Sequence, residues 1–201
     1  RTTLLGMVDF PSPLLRFHLA VALANIEGPE KIAALARLAD LETRDTTIGL
    51  AIIGSLGKSA SGFLIELVKQ QPGWRRKPTV DQMRILREAA AAVVASRDEQ
   101  QLSACFQLIA PQQAESVAPG DLAMLAGFAQ GIADLGYSLK TLLADPPQGL
   151  EPHVPAVKLL LAAARTLATA DHAALEHRLV ASDVLGTIDA QSGPVLLTLI
   201  G

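Results

Sequence analysis

The chain has 201 residues, half of them hydrophobic, with 17 basic against 20 acidic side chains and a formal net charge of −3. That length can bury roughly 70% of the unfolded surface, and the charge balance supplies no strong field for nucleic acid or an anionic membrane. A single cysteine, Cys105, excludes an internal disulfide and any cysteine-rich metal or haem-attachment motif.

Ala and Leu number 33 each, while aromatics make up only 3%. Both residues lose little rotamer entropy in a helix, so the composition points to aliphatic helices packed on one another. Apolar residues recur with a helical period along most of the chain, and turn residues separate the stripes. The first stripe is Leu15, Leu19, Ala22, Leu23 and Ile26, entered through Ser12-Pro13, a capping residue followed by proline at the first helical position. It closes at Gly28-Pro29, and Pro29 opens a second helix on Ile32, Leu35, Leu38 and Ala39, with Glu30 placed where the helix dipole favours an anion. A third helix begins near Asp45, carries Ile48, Ala51, Ile52 and Leu56, and stops at Gly57. A fourth carries Phe63, Leu64, Leu67 and Val68 and ends before Pro72-Gly73.

Residues 72–79 read as a polar loop. Beyond it lies a stripe of Met83, Leu86, Ala90, Val93 and Val94, then a helix introduced by Asp98 on Leu102, Cys105, Phe106 and Ile109 and stopped by Pro111. Pro119-Gly120-Asp121 opens a helix on Leu122, Leu125, Ala126, Ala129, Ile132 and Ala133 that ends at Gly136, and a short piece follows from Ser138 to Ala144. After a second break, Asp145 to Gly149, come Val157, Leu160, Leu161, Ala164 and Leu167, then Leu175, Leu179 and Leu185. A final apolar run, Val195 to Ile200, enters through Ser192-Gly193-Pro194 and is assigned to helix from its context. No apolar run reaches the ~20 residues that span a bilayer; the longest, Val154 to Ala164, is broken by Pro155 and Lys158.

About eleven short helices with no sustained apolar–polar alternation predict an all-α fold. Leu19-Ala22-Leu23 aligns with Ile52-Ser55-Leu56 at an offset of 33, and Leu35-Leu38 with Leu64-Leu67 at 29. Degenerate helix pairs of this kind cannot bury an apolar face alone and must stack on neighbours. The expectation is one helical-repeat domain over residues 1–201, with internal breaks near 72–79 and 145–153. A chain opening on Arg1 is also expected to be a piece of a larger protein.

The segment Pro13-Leu14-Leu15-Arg16-Phe17-His18-Leu19-Ala20-Val21-Ala22-Leu23, its Gly-Pro turn and Ala33-Ala34-Leu35-Ala36-Arg37-Leu38-Ala39 resemble a HEAT repeat. More narrowly they resemble the helical segment of large bacterial proteins of the membrane-bound dehydrogenase type, in which a β-propeller precedes that segment and a c-type cytochrome domain follows it. The resemblance is clearest over residues 12–70. It implies an α-α superhelix of antiparallel helix pairs, a periplasmic or secreted parent, and a spacer role between redox modules. Arg16 and Arg84 match the arginine that HEAT first helices often carry, but Gly49 stands where the second repeat would have it. No Cys-x-x-Cys-His occurs, so no haem site is carried over.

Residues able to do chemistry are sparse. His172 and His177 are five apart, about 140° around an ideal helix, poor geometry for a shared metal, and His18 flanks an apolar stripe. Cys105 lies on the stripe of Leu102, Phe106 and Ile109 and reads as a small hydrophobe. Gly54-Ser55-Leu56-Gly57 followed by Lys58-Ser59 has neither the spacing of a nucleophile elbow nor that of a phosphate loop. Asp98-Glu99 suits a helix start better than an acid–base pair. One patch stands apart: Pro72-Gly73-Trp74-Arg75-Arg76-Lys77-Pro78 sets the only tryptophan beside three consecutive cations. Trp and Arg are enriched where interfaces hold their binding energy, which makes Trp74, Arg75, Arg76 and Lys77 the candidate partner-binding residues. The competing and favoured reading has Trp74 folded over the ends of two helices while the cations stay in water.

The expected function is a non-catalytic scaffold or spacer, without cofactor or metal. Its partners are other domains of the parent chain and other proteins, rather than nucleic acid or a membrane interior. In HEAT stacks the second helix of each pair lines the concave side, which singles out Lys31, Arg37, Lys58, Glu66 and Lys69. The alternative is an all-helical ligand-binding or enzymatic domain with a pocket between helices, which requires polar groups converging on a concave site.

Overall fold

Four helix starts are written in side chains that satisfy exposed backbone amides. Asp45 Oδ1 accepts from the amides of Thr47 and Ile48 at 2.8 and 3.0 Å. Asp98 Oδ1 accepts from those of Gln100 and Gln101 at 3.0 and 3.1 Å, and Ser138 Oγ accepts from Thr141. Thr79 and Gln82 form a reciprocal capping box. A computed structural model of the chain describes residues 6–111, 117–171 and 173–188. Within them the α-helices are α1 (Pro13–Leu23), α2 (Pro29–Leu41), α3 (Thr46–Leu56), α4 (Ala60–Gln70), α5 (Gly73–Arg76), α6 (Val80–Ala95), α7 (Glu99–Ile109), α8 (Pro119–Asp134), α9 (Leu139–Ala144), α10 (Val154–Ala168) and α11 (Leu175–Ile188). No strand occurs among the described residues. The fold is all-helical.

Two expectations are corrected. The 72–79 segment is not wholly loop: Gly73–Arg76 forms one helical turn, closed by bonds from the amides of Arg76 and Lys77 to the carbonyls of Pro72 and Gly73. The near-continuous helical stretch Thr46–Gln70 is 25 residues long with mean hydropathy 1.5, enough by length and composition to cross a bilayer. No such run is expected from the sequence, where Gly57 reads as a helix stop. Gly57 does turn the chain there, at φ +51°, and half of the apolar window is buried inside the fold. The run from Val195 to Ile200 lies outside the described residues.

Many helices pack on the second helix along: α1 on α3, α2 on α4, α4 on α6 and α6 on α8. Others pack further along or on the next, α8 on α11 and α10 on α11 extensively, α3 on α6 and α4 on α7 less so. Buried apolar residues from Val8 to Leu185 form one cluster beneath these contacts. The α6–α8 contact is the most extensive, and small residues make it possible. A Cβ built on Gly127 would lie 2.1 Å from the Arg87 carbonyl oxygen and 2.8 Å from Ala90 Cβ; on Gly131 it would lie 2.8 Å from Val94 Cβ. The two backbones therefore touch, and α8 is buried from Gly120 to Ala129 without interruption, as a helix apolar on every side requires.

This contact yields the first prediction. Gly127→Ala forces a methyl into the Arg87 backbone, which flexible side chains cannot relieve, and costs on the order of 3 kcal/mol. Gly54→Ala, at an exposed helical site where a Cβ meets nothing within 4 Å, is expected to raise stability by about 0.5–1 kcal/mol. Urea unfolding of the two variants checks both signs.

Candidate functional site

The 72–79 segment works as a clasp. Trp74 is 2% exposed, and its indole Nε1 donates to Asp40 Oδ1 on α2 at 3.1 Å, while Gln71 Nε2 donates to Asp40 Oδ2 at 2.9 Å. On the other side Arg75 Nε donates to Asp121 Oδ1 on α8 at 2.6 Å. Asp121 is fully buried, and its Oδ2 also accepts from the Ala118 amide at 3.2 Å. Burial pushes the Asp121 carboxyl above the ordinary aspartate range, against the Arg75 guanidinium and the Ala118 amide, which act to lower it. Gly120 allows this approach, because a Cβ there would sit 2.6 Å from the Trp74 carbonyl oxygen. Of the four sequence candidates, Trp74 and Arg75 thus join α2 to α8, and Arg76 and Lys77 are exposed.

The second-helix candidates divide in the same way. Lys31, expected to face solvent, is only 1% exposed, a correction with a simple cause: it occupies the stripe of Leu35 and Leu38, one turn before them. Arg37 pairs with Asp9 at 2.6 Å, Glu66 accepts from Gln70, and Lys58 and Lys69 are exposed. In place of a regular arginine ladder, Arg16 pairs with Glu42. The Arg84 guanidinium lies over Gly49, with Nη1 3.4 Å from a Cβ built there. Gly49 leaves the gap that Arg84 fills.

Among side chains with chemical potential, Ser103 and His153 meet without any signal in the sequence, 50 residues apart at 3.0 Å. The hydroxyl proton of Ser103 goes to the Gly149 carbonyl, also at 3.0 Å, so His153 Nε2 serves as donor and the pair ties the 145–153 segment to α7. Cys105 is buried, and burial pushes its thiol up to about 12. His177 is half-buried, and His172 lies outside the described residues. Among the described residues no three His, Cys, Asp or Glu side chains converge in a metal-binding group.

Cavities open between helices, two of them sizeable. One of about 250 Å³ lies between α6, α8 and α11, lined by Met83, Ala123, Ala126 and Val180 and edged by Arg84, Arg87, Glu88, Glu176 and Asp183. Arg87 Nη1 and Asp183 Oδ2, at 2.6 Å, tie α6 to α11 at its edge. The larger, about 350 Å³, lies where the ends of α6 and α8 meet the start of α7. No sequence motif marks either, because each is assembled from residues far apart in the chain.

Two measurements test these assignments. With its thiol raised to about 12, Cys105 should react with a disulfide reagent at pH 8 only as fast as the protein opens, and promptly in denaturant. For Asp121 the folded pKa lies above the ordinary aspartate value. Its contribution to stability is therefore present below the unfolded pKa and lost as pH rises through the folded one. Between pH 4 and pH 7 the wild type should lose stability relative to Asp121→Asn, which keeps the neutral form at both values.

In comparisons with known proteins, no family model, curated protein or solved structure matches the chain.

Proposed function

We propose that the chain is a non-catalytic helical-repeat scaffold of the HEAT type, a spacer that holds its neighbours at fixed separation. The observation that carries this reading is the packing of helices on the second helix along, α1 on α3, α2 on α4, α4 on α6 and α6 on α8, over one apolar cluster running from Val8 to Leu185. Stacked helix pairs have this contact pattern, each unit burying its face on the next. The allocation of polar groups supports it as well. Arg16, Arg37, Arg75 and Arg87 each tie one element to another, Asp45 and Asp98 cap helices, and Ser103 with His153 holds a loop. The side chains best suited to acid–base or nucleophilic work are thus engaged in holding the stack. With the resemblance described above, the reading extends to a spacer between propeller and cytochrome modules of a secreted bacterial redox protein.

Native-state hydrogen exchange tests the scaffold reading. A stack of units coupled mainly to nearest neighbours should show graded protection, with α1 and α2 opening at lower free energy than α6 and α8. Uniform protection with a single global opening would remove the repeat interpretation. For the parent, a gene lacking a signal peptide and a downstream Cys-x-x-Cys-His would dismiss the redox-spacer extension.

A further inference from the structure

We propose that the larger cavity binds a small amphipathic molecule with an apolar body and one anionic head, and that Arg97 holds the head. Its walls are the apolar side chains Val93 and Val94 of α6, Leu102 of α7, Ile132 of α8, Leu142 of α9 and Leu150. Four of these, Val93, Val94, Ile132 and Leu150, are buried, whereas the rim residues Arg97, Asp98, Glu99 and Tyr137 are exposed. A volume of about 350 Å³ falls within the range of small-molecule sites, which combine an apolar lining with a few polar groups that orient the ligand.

The backbone at the rim points to Arg97. Four described residues have positive φ: Gly28, Gly57, Gly136 and Arg97, the last at +54°. Three of these turns use the residue that adopts the conformation freely. The fourth keeps an arginine there at a cost in strain, and it is the one that lines this cavity. Strain retained at a concave site is a mark of a side chain in use. The Arg97 amide donates to the Val94 carbonyl at 3.0 Å, but its guanidinium has no hydrogen-bond or ion-pair partner among the described residues and is open to a carboxylate. Of the two acids on the rim, Asp98 is committed to the amides of Gln100 and Gln101 and to the Gln101 side chain. Glu99 runs beside Gly149, with its Cγ 3.8 Å from a Cβ built there. The exposed ring of Tyr137, 68% accessible, offers an amphipathic edge at the mouth.

The site is independent of the scaffold reading and is tested on the whole chain by methyl NMR with decanoate, 1-decanol and decyltrimethylammonium. The expected result is a saturable decanoate titration that shifts the methyls of Val93, Val94, Leu102, Ile132 and Leu142. Arg97→Gly should weaken decanoate by about tenfold, leave 1-decanol unchanged and leave the thermal midpoint no lower, since glycine is relaxed at that φ. Leu102→Trp, at a half-buried wall position, should exclude decanoate and 1-decanol alike. The proposal is overturned by the absence of saturable shifts, by shifts centred on another face, by equal weakening of both ligands in Arg97→Gly, or by tighter binding of decyltrimethylammonium than of decanoate.

Discussion

The closest constraint in this protein is the contact between two backbones, α6 against α8. Gly127 and Gly131 bring α8 so near that the Arg87 carbonyl occupies the space of a side chain. An interior packed to the density of an organic crystal has no slack at such a point. The position of α8 sets much else, because α5, α7, α9, α10 and α11 also contact it. The tilted rings of Phe106 and Phe128, with centroids 5.1 Å apart, seat α7 on the same helix.

Around that seam several polar groups tie segments distant in sequence. Asp121 is the costliest of them, a carboxylate fully buried in the first turn of α8 and met by Arg75 and the Ala118 amide. A buried ion pair of this type contributes little net energy compared with apolar packing, but removing one partner leaves the other stranded. Its value here is positional. Arg75 on Asp121 and Trp74 on Asp40 fasten one helical turn to α8 and α2 at once, and so align the first two helix pairs with the second half of the chain. The small-residue contact at Gly120 lets that turn approach closely enough to be fastened.

Functional reading follows from which groups are left over. Most charged and hydroxyl side chains with short contacts are accounted for by caps, inter-helix ties and hydroxyl bonds back to the preceding helical turn. Arg97 at the mouth of the larger cavity is the exception that combines backbone strain, exposure and an apolar neighbour. A scaffold and a small-molecule site are compatible, because stacked helices leave crevices where three helix ends meet, and such crevices do not interrupt the core.

The amino-acid sequence by itself determined the helices. Period and punctuation are local properties, so Ser12-Pro13, Asp45, Gly57, Thr79, Asp98 and Gly136 mark most boundaries within a residue or two of where they lie. It also held Cys105 on a core stripe and suggested that Trp74 could fold inward. Only the tertiary structure decided the rest. Lys31 reads from the sequence as a polar position on a concave-side helix, yet it lies on the stripe of Leu35 and Leu38 and is buried with them. The docking of the Gly73–Arg76 turn on Asp40 and Asp121, the Arg84 guanidinium over Gly49, the Ser103–His153 tie and the cavity beside Arg97 all depend on residues tens of positions apart. Their distances are set by how closely helix backbones can approach, and no periodicity within a single helix encodes that.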